Sequence, residues 1–81
     1  MNEQQQEQAS AVRHYGKLRL WIAERGFGFV DSETAPVKDF YMHISQVDEA
    51  QHEKLEVGAF IEFTPLKKLK GWSAMNAVVL E

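Results

Sequence analysis

Apolar and polar residues alternate with a period of two through most of the chain after residue 11. Side chains two apart on a strand point to the same face, so this alternation is typical of half-buried β-strands. Five alternating segments are separated by polar, glycine-containing or proline-containing stretches: 17–22, 27–30, 40–44, 60–63 and 72–80. Pro65 is expected to end the fourth, and the polar connection 45–56 has room for one helical turn. The pattern predicts a small all-β sandwich or barrel.

The first three strands are predicted to carry rings and cations on one face. The residues expected to face outward are Lys17, Arg19, Trp21, Phe27, Phe29, Tyr41 and His43. On the first strand, Leu18, Leu20 and Ile22 are expected to face inward. If these strands are neighbours in the sheet, the outward residues form one aromatic patch edged by positive charge. Exposed aromatic clusters of this kind usually mark a binding surface.

The run Arg25-Gly26-Phe27-Gly28-Phe29-Val30 carries the main functional signal. Two exposed rings beside a cation are a simple platform on which unpaired nucleic-acid bases stack. Alternatively, both phenylalanines belong to the core and the glycines face solvent. That arrangement would leave a poorly formed strand face, and Val30 already supplies an inward side chain. The candidate nucleic-acid-binding residues are Lys17, Arg19, Trp21, Arg25, Phe27, Phe29, Tyr41 and His43, with Lys17 and Arg19 placed to meet phosphates.

Composition limits the possible classes of protein. At 81 residues, with 44% hydrophobic content, the chain has room for one domain with a small core. It has no cysteine, and no apolar stretch approaches the ~20 residues of a membrane span. The N-terminus lacks the apolar core of a signal peptide, so a soluble cytoplasmic protein is expected. Residues 1–11 are glutamine-rich and predicted to be a disordered tail before a domain over 12–81.

The net charge of −3 argues against a general phosphate binder, but the charges are segregated along the chain. Cations dominate residues 11–30, anions dominate 48–56, and Lys67, Lys68 and Lys70 form a second basic cluster. A local positive field can steer an anionic partner despite a negative total. The histidines lack metal-ligand spacing, and nothing orients His43 and Ser45 as a catalytic pair. We therefore expect neither an enzyme nor a cofactor, metal or small-molecule substrate.

Several motifs, in their order and spacing, resemble the cold-shock domain family. The run 25–30 resembles its first ribonucleoprotein motif and 39–45 its second; 58–63 and 71–77 resemble its fourth-strand and closing motifs. The same first motif occurs in the RNA recognition motif fold, but there a strand and a helix precede it and the two motifs come in the opposite order. The resemblance implies a five-stranded antiparallel oligonucleotide-binding (OB-fold) barrel. It also implies an RNA chaperone, which would need no ATP. The expected partner is single-stranded RNA or DNA and not a membrane, and the expected state is a monomer or weak dimer.

Some positions depart from the family pattern. Leu20 stands at the position of the family's stacking tryptophan, and Trp21 at that of the following phenylalanine. Ile44 replaces a common phenylalanine, His52 replaces an aromatic residue of a loop, and Trp72 replaces a proline. Trp72 is interpreted as a packing residue rather than as a second residue on which a base stacks. These departures predict weaker or shorter-site binding. They also keep open an alternative function, an OB-fold protein-interaction or regulatory module with reduced nucleic-acid affinity.

Overall fold

The five predicted strands are all present in the computed structural model, which describes residues 12–35 and 37–80. The strands are β1 (His14–Ile22), β2 (Phe27–Ser32), β3 (Asp39–His43), β4 (Phe60–Lys68) and β5 (Gly71–Leu80). The predicted tail over residues 1–11 lies outside the described residues. Two short 3₁₀ helices, Ile44–Gln46 and Glu49–Lys54, occupy the long polar connection between β3 and β4.

The strands close into a barrel in the order β1-β2-β3-β5-β4, with β4 returning to pair with β1. Neighbouring strands run antiparallel except at the closure between β3 and β5, where Tyr41 and Ser73 are partners in a parallel pair. Of the sandwich and the barrel that the pattern left open, the structure is the barrel, and it is the five-stranded OB-type barrel that the family resemblance implied. Within the described residues each strand pairs with a neighbour on both sides, although the closure between β3 and β5 has a single registered pair, Tyr41 with Ser73. Closing a sheet in this way limits strand addition at its edges.

The core lies inside the barrel and is built from alternate residues of every strand. Its most deeply buried large side chains are Leu18, Val30, Phe40, Met42, Ile61 and Phe63. The rings of Phe40 and Phe63 lie 4.8 Å apart across the interior. Because β2 and β3 alternate strictly between buried and more accessible positions, their outward side chains can be assigned from this core alone.

A β-bulge at Arg19 changes which side of β1 faces the core. Leu18 is opposite Val30, but the next pair joins Leu20 to Phe29, so Arg19 is the extra residue. Such an insertion reverses the faces of the residues that follow it. Leu20 is 40% exposed, whereas Trp21 is half-buried and packs against the core.

The predictions that Leu20 and Ile22 face inward and Trp21 outward are therefore wrong. Gly28 makes the reversal possible, because it is the partner of Trp21 on β2. A Cβ atom on Gly28 would lie 2.8 Å from the Trp21 ring and would overlap the Leu20 carbonyl oxygen. Only glycine leaves room for the indole and for the bulged backbone at this point.

The strand containing Pro65 is longer than predicted. β4 continues through Pro65, which pairs with Ala74, and ends at Lys68. Its register with β5 shifts between Glu62 and Thr64, where β5 carries an extra residue. Asn76 lies in that stretch with a φ of 47°, a left-handed conformation that asparagine tolerates better than most residues. The expectation that Pro65 ends the strand is wrong. The pairing of β4 with β5 resumes after the register shift and includes Pro65 and the three residues that follow it.

The connection between β3 and β4 closes one end of the barrel. It buries Val47 and Leu55 in the core. The side-chain amide of Gln51 donates a hydrogen bond to the Val79 carbonyl (3.0 Å) and accepts one from the Val79 backbone N–H (2.9 Å), which fastens this connection to β5. Within the ranges that the structure describes, no helix has the length and apolarity to cross a bilayer.

Candidate nucleic-acid interface

Two rows of side chains cross the outer face of β1, β2 and β3. The strand register defines them: one row is Leu20, Phe29 and Tyr41, and the other is Ile22, Phe27 and His43. Each residue is opposite the next in its row, and cross-strand partners on one face lie within contact distance. The prediction that Phe27, Phe29, Tyr41 and His43 share one face is confirmed.

Phe27, Phe29 and Tyr41 touch one another and are here called the ring cluster. Phe27 and Tyr41 have centroids 5.6 Å apart and planes inclined by 30°, which is a stacked arrangement. Phe29 meets Tyr41 edge to face at 5.9 Å and Phe27 at 6.4 Å. Such contacts hold each ring in position and leave part of its surface in water, since Tyr41 is 37% exposed and both phenylalanines are half-buried.

Arg19 adds positive charge directly to the ring cluster. Its guanidinium carbon lies 5.7 Å from the Phe29 centroid, and one of its nitrogens lies 2.8 Å from an Asp39 carboxylate oxygen. Both side chains of this ion pair are at least half exposed, so its contribution to stability is small. The pair orients the guanidinium beside the rings, where it could contact a phosphate or a base.

Two other predicted cations lie at the border of this face. Lys17 is the cross-strand partner of Phe60, and its ammonium lies 5.1 Å from that ring's centroid. Arg25 is exposed in the turn 23–26 between β1 and β2, just before Phe27. The structure thus brings Arg19, Phe27, Phe29, Tyr41 and His43 together, with Lys17 and Arg25 at the edges and Trp21 turned towards the core.

His43 is exposed and held by its own backbone turn. Its Nδ1 accepts a hydrogen bond from the Ser45 backbone N–H at 3.1 Å and lies 3.0 Å from the Ser45 hydroxyl. When the ring is neutral, Nδ1 is therefore the acceptor and Nε2 carries the proton. The contact with Ser45 is a local cap of the first 3₁₀ helix, and it leaves Nε2–H as a donor next to Phe27.

An open groove adjoins the ring cluster and was not predicted from the sequence. This hairpin groove has a volume of about 710 Å³ and runs between β3 and the β4–β5 hairpin. Its lining residues are Phe29, Val37, Asp39, Tyr41, Lys68, Lys70, Gly71, Trp72 and Ser73. The basic cluster in the sequence pointed to the lysines, but their position beside Tyr41 depends on the parallel closure of the barrel.

His52 does not extend the ring cluster. Its ring is half-buried, and Nε2 lies 2.9 Å from the Val47 carbonyl oxygen, to which it can donate. The side chain therefore fastens the connection after β3. Among the described residues, no three acidic or histidine side chains are grouped to hold a metal ion.

Comparisons with known proteins agree with this geometry. The sequence profile of the 'Cold-shock' DNA-binding domain matches residues 14–80. The chain is 32% identical over 65 residues to Cold shock-like protein CspC of Bacillus cereus, which covers 80% of this chain and 97% of the relative. It is also 32% identical over 65 residues to Cold shock protein CspA of Staphylococcus saprophyticus, covering 80% and 96%.

A solved structure shows the same fold. Drosophila Unr CSD456 superimposes with a TM-score of 0.69 over 86% of this chain at 20% identity. The chain spans 27% of that longer chain, so this likeness concerns the fold alone. The barrel, the matched profile and the bacterial relatives together establish that the chain belongs to the cold-shock domain family, whose members bind nucleic acid.

Proposed function

We propose that the protein binds single-stranded RNA or DNA by stacking unpaired bases on the ring cluster. The observation that carries the proposal is the contact between Phe27, Phe29 and Tyr41 on the outer face, with the Arg19 guanidinium beside Phe29. Stacking on such rings contributes about 1–3 kcal/mol per base and tolerates most sequences. In a duplex the base faces are occupied by their neighbours, so this surface favours unpaired strands.

The proposed role of such binding is that of an RNA chaperone. A protein that binds only the open strand shifts a hairpin equilibrium towards that strand by mass action, without ATP. A dye-labelled RNA hairpin should therefore melt at a lower temperature as protein concentration rises. If unpaired RNA binds but the hairpin melts at the same temperature at every protein concentration, the chaperone role is refuted and simple strand binding remains.

Alanine variants test the stacking surface. Phe27→Ala and Phe29→Ala should each weaken binding of a labelled heptathymidine by about 5- to 150-fold, the equivalent of one stacked base. Tyr15→Ala is the matched control, because Tyr15 is an exposed aromatic residue, 45% accessible, near the start of β1 and outside the ring cluster. Circular dichroism should show all three folded. Wild-type affinity in the two cluster variants would refute the proposed surface.

One observation favours a protein-interaction or regulatory role as the second candidate. Leu20 is 40% exposed on the same face, in the row of Phe29 and Tyr41. An exposed leucine provides an apolar contact for a protein partner, whereas an aromatic ring at this position would stack better on a base. The two functions differ in their salt dependence. Phosphate contacts make affinity fall steeply as salt rises, whereas an apolar protein interface responds little.

A further inference from the structure

We propose that the hairpin groove holds one additional nucleobase, stacked on the Trp72 indole, with the flanking phosphates at Lys68 and Lys70. This proposal rests on the proposed function, because it extends the same strand site beyond the ring cluster. It assigns a binding role to a tryptophan that sequence analysis interpreted as a packing residue alone.

The groove is continuous with the ring cluster. Phe29 and Tyr41 belong to the cluster and also line the groove. Tyr41 is paired with Ser73, and Trp72 directly precedes Ser73 in the chain. A strand that stacks one base on Tyr41 can therefore place its next base beside Trp72. The groove volume, about 710 Å³, lies within the range of small-molecule sites and accommodates a nucleotide.

Trp72 is oriented before any ligand arrives. Its ring meets the core residue Phe40 edge to face at 6.0 Å, and the Lys67 ammonium lies 5.8 Å from its centroid. The indole is nevertheless only half-buried and contributes to the groove wall, which Lys68 and Lys70 line as well. Packing fixes the ring without using its whole surface, and a fixed aromatic surface loses little entropy when a base stacks on it.

The charges around the groove suit a nucleotide. Lys68 and Lys70 are exposed at its rim and offer two ammonium groups to phosphates. The carboxylate in the lining, Asp39, is already paired with Arg19 at 2.8 Å. That pairing offsets the repulsion that a lone carboxylate would exert on a phosphate.

The length dependence of binding tests the groove with the full chain and labelled oligothymidines of roughly four to eight nucleotides. For the wild-type protein, affinity should rise about tenfold at the length that first reaches the groove. Trp72→Leu should remove that rise and leave the affinity for shorter strands unchanged. Trp72→Phe, which keeps a ring, should restore part of it. In Trp21→Phe, Trp72 is the single remaining indole, and its fluorescence should be quenched by long strands but not by short ones.

A double variant, Lys68→Gln with Lys70→Gln, keeps the test valid if Trp72→Leu does not fold. Both lysines are exposed, so the fold should persist. The steepness with which the logarithm of affinity falls as the logarithm of salt concentration rises should decrease for long strands only. The decrease should be about 0.7 for each phosphate that a lysine neutralises in the wild-type complex. The groove proposal would be overturned if the groove variants lost the same affinity for strands of every length, or lost none at any length. Either result leaves the proposed ring cluster intact, provided that the wild-type protein binds single strands. Failure of the wild-type protein to bind any single strand would overturn both proposals.

Discussion

Replacing Leu20 with tryptophan should convert the protein into a tighter single-strand binder. Leu20 lies directly opposite Phe29 and is 40% exposed on the face that carries the ring cluster. A tryptophan at this position would add a fourth ring to the row of Phe29 and Tyr41. Aromatic side chains also suit a half-buried position on a pleated sheet, so the barrel should tolerate the change.

The size of the effect follows from what leucine already provides. A base stacked on an aromatic ring gains about 1–3 kcal/mol. Leu20 offers part of that contact through its exposed methyl groups, so the net gain should lie in the lower part of the range, about 1–2 kcal/mol. This corresponds to binding that is roughly five- to thirtyfold tighter. The free energy of unfolding should change by no more than about 0.5 kcal/mol, as for most surface substitutions.

Fluorescence anisotropy of a labelled heptathymidine measures this gain without relying on the protein's own tryptophans. Val78→Trp is the matched control: Val78 is 39% exposed on β5 opposite Glu62, away from the ring cluster. The control should bind as the wild-type protein does. If Leu20→Trp is folded but binds no more tightly than Val78→Trp, the row of Leu20, Phe29 and Tyr41 is not where bases stack.

Three further predictions concern stability and charge. Gly28→Ala should lower the free energy of unfolding by about 2 kcal/mol or more in a urea titration, because its Cβ would overlap the Leu20 carbonyl oxygen; wild-type stability would show that the bulged backbone yields freely. Phe63→Ala should cost about 3–5 kcal/mol, since the ring is fully buried, and a loss below 1 kcal/mol would contradict the described core. Asp39→Asn should change the free energy of unfolding by less than about 1 kcal/mol, because its ion pair with Arg19 is exposed. It should strengthen strand binding, because it frees Arg19 and removes a negative charge. Weaker binding would contradict this and would mean that the ion pair holds Arg19 in its binding position.

Strict alternation is what made β2 and β3 predictable. Each has buried and more exposed residues in turn, so the period of two alone placed Phe27, Phe29, Tyr41 and His43 on one face. The same reasoning placed Leu18 in the core. Where a strand is regular, face assignment requires no knowledge of the strand's partners.

The errors on β1 have a physical cause that alternation cannot detect. Three consecutive apolar residues, Leu20, Trp21 and Ile22, break the alternation, and a bulge decides which of them turns outward. Gly28 is the residue that could have signalled the answer, because a glycine in a strand often marks a close backbone approach. Its empty inward side is filled by the indole of Trp21.

The hairpin groove depends on contacts between residues far apart in the sequence. Trp72 and Tyr41 line the same groove only because β3 and β5 meet in parallel at the closure of the barrel. The sequence displayed the tryptophan and the lysine cluster, but the pattern of a single strand carries no information about which distant strand will lie next to it. The same limit applies to Lys17, whose partner Phe60 lies on β4.

The distribution of charge explains how a chain with a net charge of −3 could bind a polyanion. Arg19 lies at the ring cluster and Lys68 and Lys70 at the groove, while Glu49 and Glu53 lie in the second 3₁₀ helix, on the connection after β3. Local cations act over roughly a Debye length, about 8 Å at physiological salt. The field at the ring cluster and the hairpin groove is therefore set by their own side chains more than by the total charge.

A chemical-shift map of the 81-residue chain titrated with heptathymidine tests the central claim most directly. The account predicts that the largest changes fall on the backbone amides of β2 and β3 and on the ring protons of Phe27, Phe29 and Tyr41. Changes confined to β5 around Val78, or a spectrum that stays unchanged at saturating concentrations of the strand, would contradict it.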